Sequence, residues 1–256
     1  MTRVLAVANQ KGGVAKTTTS HTLGVALARR GRRVLLVDFD PQGCLTFSCG
    51  VDPEALDVSV HDALLGRNKL DETLVDLGEF RLAPANIDLA GAEQLLLGRT
   101  GRDFALRETL ADELAQFDDV VIDCAPSLGI LTVNALTAAT EVVIPLQCEA
   151  LSHRGVAQLL DTIAEVRKYT NPALVVRGVV ATMYDARTRH SREVLDDVQS
   201  RFGLDLVGAP VPKSVRFAEA PLRGVTILDH AADSPGARAY TTIADTLLGS
   251  GFGTET

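Results

Sequence analysis

No apolar run in this chain approaches the roughly 18 residues a membrane span needs, and Met1-Thr2-Arg3 leads into a hydrophobic stretch with no signal-peptide architecture. The expectation is a cytosolic protein without a membrane anchor. No C-x-x-C pair is present, and no histidine stands at ligand spacing from Cys44, Cys49, Cys124 or Cys148. That argues against a zinc site or a disulfide frame, so the four cysteines are read as reduced, buried thiols. Internal repeats, heptads and low-complexity linkers are missing as well. The 256 residues, 46% hydrophobic, are therefore read as one domain over 1–249 and a flexible, Gly- and Thr-rich tail over 250–256. Positive charge is also in deficit, and a net charge of −8 argues against a protein that coats nucleic acid over its whole surface. One segment runs against that balance. From Arg167 to Arg223 ten basic residues face six acidic ones, a local +4 that suits a polyanion on one face.

What the chain does have is alternation. Short apolar runs at Val4–Ala8, Val34–Val37, Arg81–Pro84, Val120–Ile122, Val142–Pro145, Leu174–Ala181 and Leu206–Val211 read as buried strands. Between them, segments of helical periodicity are placed at Thr17–Arg30, Val60–Leu65, Gly91–Leu97, Phe104–Gln116 and Ile130–Ala138. Others lie at Gly155–Lys168, Ser191–Phe202, Ser214–Ala220 and Gly236–Leu248. The pattern predicts an α/β fold: a doubly wound, mostly parallel twisted sheet with helices on both faces.

The first strand runs into Asn9-Gln10-Lys11-Gly12-Gly13-Val14-Ala15-Lys16-Thr17-Thr18 and then a helix. A strand, a glycine-containing turn and a helix start form a phosphate cradle, because the unpaired N–H groups of Gly12 through Thr17 and the helix dipole favour an anion. In such a P-loop Lys16 supplies charge for the β- and γ-phosphates and Thr17 a hydroxyl for Mg²⁺. The usual pattern requires glycine where Gln10 and Ala15 stand. If the backbone at Ala15 has φ > 0, alanine costs about 1 kcal/mol there.

Two further strands end in carboxylates, at Asp38-Phe39-Asp40-Pro41-Gln42-Gly43 and at Asp123-Cys124-Ala125-Pro126-Ser127. Both lie at the strand ends where open α/β sheets place their ligands. Buried carboxylates there are costly without a cation or a polarised water. Asp123 occupies the position that reaches Mg²⁺ through water, while Asp118 and Asp119 are read as solvated strand-entry residues.

Lys11-Gly12-Gly13-Val14-x-Lys16-Thr17-Thr18 resembles the deviant Walker A loop of the ParA/MinD family of dimerising ATPases, in which a second, signature lysine precedes the paired glycines. The resemblance extends through D-x-D-P-Q-G at Asp38 and the strand ending in Asp123. It continues in Pro212-Lys213-Ser214-Val215-Arg216-Phe217-Ala218-Glu219-Ala220-Pro221, which is similar to the family's P-R-x-V-R-x-x-E-A-P. It implies that ATP is held by Lys11 through Thr18, with Pro212 and Lys213 bordering the adenine. It implies Mg²⁺ at Thr17, Asp40 and Asp123, and catalytic roles for Lys11, Lys16 and Asp40. Asp40 would orient the attacking water, and Lys11 would reach the phosphates of the opposite subunit in an ATP-sandwich homodimer.

The order and spacing of these elements resemble the short, chromosomal form of ParA, also called Soj. That resemblance implies an ATP-driven switch that binds nonspecific DNA through Arg187, Arg189 and Arg216. It further implies a ParB-type partner that stimulates hydrolysis, and a chromosome or plasmid as cargo. A run of arginines beside a helix start is equally the pattern of a solvated face. The first strand begins almost at Met1, with no room for a helix-turn-helix extension, so site-specific operator binding is not expected. A MinD-like membrane organiser would need a basic amphipathic tail, whereas no lysine follows Lys213. A nitrogenase-reductase-like carrier would need cluster-bridging cysteines. A positioning ATPase for polar or carboxysome cargo has the same chemistry and stays open.

Overall fold

The apolar runs pair into one seven-stranded sheet in the order β3-β4-β2-β5-β1-β6-β7. The strands are β1 (Arg3–Val7), β2 (Val34–Phe39), β3 (Val75–Asp76), β4 (Arg81–Ala83), β5 (Asp119–Cys124), β6 (Glu141–Gln147) and β7 (Val175–Thr182). Every pairing is parallel except that of β3 with β4 at the edge. The computed structural model describes residues 1–148 and 152–249; Glu149 and the expected tail 250–256 lie outside the described residues.

The helices are α1 (Lys16–Ala28), α2 (Cys44–Ser48), α3 (Val60–Leu64), α4 (Leu89–Leu97), α5 (Ala105–Ala111), α6 (Ile130–Ala138), α7 (Ser152–Tyr169), α8 (Arg189–Phe202), α9 (Arg216–Glu219), α10 (Ile227–His230) and α11 (Pro235–Gly249). Alternation along the strands divides them between two cores. Val4, Ala6, Leu35, Val37, Val120 and Ile122 face α3 through α8, while Leu5, Val7, Leu36 and Val121 face α1, α10 and α11. Helix α1 is buried along almost its whole length, from Thr19 through Leu27. It is the helix that the cradle loop opens into, so its N-terminus is fixed by packing on nearly every side.

Several local expectations give way to the fold. Leu206–Val211 is no strand: only isolated bridges from Val179 to Leu206 and from Tyr184 to Pro212 form. Gly208 at φ 69° and Pro210, which lacks an N–H, interrupt the ladder. The helix expected over Phe104–Gln116 is α5 flanked by 3₁₀ turns at Arg102–Phe104 and Leu114–Gln116. Helices α2 and α10 and strand β3 carry too few residues for a periodic pattern.

Asp119 is not a solvated strand-entry residue. It is buried, and its two oxygens accept from Arg3 Nε and Arg32 Nε, each at 2.6 Å, while Arg3 Nη1 donates to the Leu247 carbonyl of α11 at 2.8 Å. The pole of the sheet opposite the cradle is thus tied by charge to the C-terminal helix. Asp118 is partly exposed as expected, and the Arg33 guanidinium beside it holds its carboxyl well below the usual range.

The register between β6 and β7 shifts next to Gly178, at φ 131°, where an added Cβ would lie 2.2 Å from the Asp205 carbonyl oxygen. Backbone cannot retreat as a side chain can. Gly178→Ala is expected to lower stability by about 2 kcal/mol, read as a reduced urea midpoint at unchanged slope. An unchanged midpoint would mean that the segment 205–207 yields freely.

Candidate nucleotide-binding site

The loop between β1 and α1 turns through two left-handed residues, Gly13 at φ 74° and Ala15 at φ 65°. Ala15 occupies the N-cap of α1 without a side-chain cap, and the first turn of that helix carries no acidic residue. The helix start is therefore left open to an anion. Alanine in a left-handed conformation carries about 1 kcal/mol of strain, and glycine there gives back about 0.4–1 kcal/mol through the unfolded chain. Ala15→Gly is accordingly expected to be close to neutral in stability, with a modest gain in nucleotide affinity. A large loss of affinity in a calorimetric titration would show that alanine shapes the cradle.

Two side chains, one just beyond β1 and one at the end of β7, fix the loop. Asn9 donates from Nδ2 to the Pro145 carbonyl at 2.7 Å and accepts from the Lys11 N–H at 3.0 Å, bridging the end of β6 to the loop. Thr182, at the end of β7, donates to the Val14 carbonyl at 3.0 Å. These clamps are not legible in the sequence, because each depends on tertiary pairing; the nearest signal is a polar residue at a strand end.

Lys16 is buried, and its Nζ donates to the Lys11 carbonyl at 3.1 Å, so the ammonium closes back over the loop. Burial lowers its pKa, opposed by Asp123, Cys124 and Asp40. Lys11 itself is only half-buried, on the lip of the loop. The two lysines thus occupy different environments.

Asp38 and Asp123 are register partners on β2 and β5, both fully buried. Asp38 accepts from the Thr46 N–H and from its hydroxyl, both at 2.7 Å, and burial pushes its pKa up to about 6. Asp123 accepts from Ser20 Oγ at 2.9 Å. Burial and then the Asp38 charge push it up to about 7, against hydrogen bonds from Thr17 and Ser20. Its Oδ2 is buried with no hydrogen-bond partner. An orphaned carboxylate oxygen beside a second carboxylate, within reach of the Thr17 hydroxyl, is a donor set that fits a hard divalent cation. Among the described residues no group of three or more His, Cys, Asp or Glu could hold a metal by itself. Asp40, just beyond β2, is also buried, and its Oδ1 accepts from the Gln42 N–H at 3.0 Å.

On the other side of the loop a cavity of about 390 Å³ is lined by Gly13, Ala15, Thr18, Met183, Pro212 and Lys213, among others. The structure thus brings Pro212 and Lys213 to the cradle from almost 200 residues away in sequence. Tyr240 closes the cavity, and its hydroxyl is hydrogen-bonded to Thr19 at 2.9 Å.

Three of the cysteines are buried as expected, but Cys44 is exposed at the start of α2. Its thiol pKa is nonetheless raised, by partial burial and by Asp40, Asp38 and Asp123. The arginines expected to touch DNA are exposed, and two carry intramolecular partners: Arg187 pairs with Asp185 at 3.0 Å and Arg189 with Glu193 at 2.8 Å. Arg216 opens α9 and is exposed. Exposed ion pairs of this kind contribute at most about 1 kcal/mol, so a phosphate can displace either carboxylate.

A family model described as an AAA domain matches residues 2–176. The chain is 44% identical over 247 residues to the chromosome partitioning protein ParA of Caulobacter vibrioides, covering 94% of this chain and 92% of that one. The chain belongs to the ParA/MinD family of P-loop ATPases. A second relative, the sporulation initiation inhibitor protein Soj of Bacillus subtilis, is 40% identical over 257 residues, covering 98% of this chain and all of Soj. Among solved structures, cobyrinic acid a,c-diamide synthase from Mycobacterium smegmatis with bound ADP and magnesium is 55% identical, with a TM-score of 0.87. The superposition covers 97% of this chain and 94% of that one. Within the ParA/MinD frame the loop, the two strand-end aspartates and the Pro212 segment fall in one place around α1. Among the described residues no helix is long and apolar enough to cross a membrane.

Proposed function

We propose that this protein is an ATP hydrolase that works as a dimerising switch for moving chromosomal or plasmid DNA. ATP is held by Lys11 through Thr18, with its base against Pro212 and Lys213. Mg²⁺ would be held by Thr17, Asp123 and Asp40, and when bound it neutralises charge on the transferred phosphoryl group. Lys16 balances phosphate charge within its own subunit, and Asp40 orients the attacking water. Lys11, on the lip of the loop, reaches across to a second copy in the ATP-bound dimer. That dimer binds nonspecific DNA through Arg187, Arg189 and Arg216, and a ParB-type partner triggers hydrolysis. The protein acts in the cytoplasm, on the nucleoid. The observation that carries the reading is the orphaned Asp123 Oδ2 beside Thr17 and Lys16, at the mouth of a loop built for anions. Support for the cargo comes from the Soj and ParA relatives.

The test is a salt titration of DNA binding for wild type, Arg187→Glu and Arg216→Glu, each with ATP and with ADP. Binding is expected only with ATP, with a log–log slope that loses about 0.9 for each phosphate contact removed. Unchanged slopes in both variants, or equal binding with ADP, would leave an ATPase without a DNA role. The 55% identical structure favours one other reading, ATP-dependent amidation. ATP turnover that rises with cobyrinic acid and an ammonia donor, and is indifferent to DNA, would select it. A related ATPase that positions another cargo has the same site and separates only by what it moves.

A further inference from the structure

Gly155 stands in the first turn of α7, although glycine is a poor helix former and alanine the best. Its place in the fold accounts for it. A Cβ added at 155 would lie 3.3 Å from Asn9 Oδ1 and 3.9 Å from Lys11 Cβ, so α7 lies against the loop between β1 and α1 only because residue 155 has no side chain. The nearer neighbour has little room to move. Asn9 is 3% exposed, its Nδ2 donates to the Pro145 carbonyl at 2.7 Å, and its Oδ1 accepts from the Lys11 N–H at 3.0 Å. One residue earlier the Ala8 N–H donates to the Val143 carbonyl at 3.2 Å. The Asn9 amide therefore carries the parallel ladder on to the carbonyl two residues farther along β6, as the backbone of β1 turns away into the loop. Any retreat of Asn9 from a methyl group at 155 stretches one of its two bonds.

We propose that Gly155 and Asn9 are positioning residues for Lys11, the first by leaving space and the second by holding the Lys11 N–H to the end of β6. The inference rests on the reading of Lys11 as the lysine that reaches across to a second copy during turnover. A side chain stretched between subunits has no slack with which to absorb a shift of its own backbone, and a misplacement of about 1 Å at a reacting centre costs about a hundredfold in rate. Nucleotide binding depends less on this junction. The Val14 carbonyl is held separately by Thr182 at 3.0 Å, and Lys16, turned back onto the Lys11 carbonyl at 3.1 Å, re-aims on a flexible stem. Crowding at 155 therefore falls on turnover and not on affinity.

The test is a double-mutant cycle of Gly155→Ala, Asn9→Ala and the two combined on the full chain, followed by urea midpoint, ADP calorimetry and ATP turnover. Gly155→Ala is expected to hold or raise the midpoint, to keep ADP affinity within about threefold, and to lower kcat at least about tenfold with KM little changed. A better helix former that costs turnover is a combination that a packing fault does not produce. Asn9→Ala is expected to lower kcat to a similar degree. Because the methyl group acts by crowding Asn9 Oδ1, adding Gly155→Ala to Asn9→Ala is expected to change kcat by less than about twofold. Multiplied losses in the double variant, or wild-type turnover in Gly155→Ala, would overturn the proposal. A fall in kcat accompanied by a lower midpoint and weaker ADP binding would overturn it as well, since that is a folding fault. Wild-type protein without ATP turnover would instead remove the ATPase reading, a failure visible before any variant is made.

Discussion

Lys16→Ala is expected to reduce ADP and ATP affinity about a thousandfold, whereas Lys11→Ala holds ATP within about fivefold of wild type and fails to turn it over. The difference arises from where the two ammonium groups sit. Lys16 is 7% exposed and already folded over the loop, and burial lowers its pKa against the opposing pull of Asp123, Cys124 and Asp40. Removing a buried, hydrogen-bonded charge from an ionic contact costs about 2–5 kcal/mol or more, and about 4 kcal/mol corresponds to a factor of a thousand. Among the described residues lining the cavity beside the loop Lys213 is the one lysine or arginine, and the proposed reading puts it against the base. Lys11 is half-buried, and its backbone is tied into the loop: its carbonyl accepts from Lys16, and its N–H donates to Asn9. Alanine preserves both of those backbone contacts. Calorimetry with ADP on the two variants, with ATP turnover measured beside it, separates the roles. Equal affinity losses would make Lys11 an ordinary member of the loop and remove its action in trans.

The parts of the molecule legible in the sequence are those whose physics is local. Helix α11 spans Pro235–Gly249 where Gly236–Leu248 is expected, because the apolar face made by Ala239, Tyr240, Ile243, Ala244 and Leu247 at helical spacing is complete within one segment. The left-handed backbone at Ala15 is legible from loop pattern alone, since a glycine position in a tight strand-to-helix turn fixes φ whichever residue occupies it. Partners supplied by distant strands stay hidden. Asp119 reads as polar and solvated, yet Arg3 and Arg32 turn it into a buried ionic junction. Thr46 and Thr182 look like ordinary hydroxyl residues until β4 and the cradle loop arrive beside them. Cys44 reads as another buried thiol, but the short helix α2 turns it outward. In each case the side chain's role is set by what the sheet brings next to it, which no pattern within the segment encodes.

Asp40→Ala is expected to bind ATP within about threefold of wild type while slowing its hydrolysis by a factor of about 10² to 10⁴, the range typical of a removed general base. Binding survives because Asp40 is hydrogen-bonded within its own turn and not to the cradle: its N–H donates to Asp38 and its Oδ1 accepts from the Gln42 N–H. Asp123, which carries the orphaned carboxylate oxygen, and Thr17 stay in place. A group that acts on the attacking water is felt in the transition state and hardly in the ground state, so the loss appears in kcat with KM little changed. The alanine variant alone does not separate the carboxylate's charge from its role in the turn after β2. Asp40→Asn does, because an amide oxygen still accepts from the Gln42 N–H while the negative charge is gone. Equal slowing in the alanine and asparagine variants, with the stalled ATP-bound species accumulating as a dimer on size exclusion, assigns the effect to the charge. Near wild-type turnover in Asp40→Asn would instead make Asp40 a turn residue and move the water-orienting role to another group.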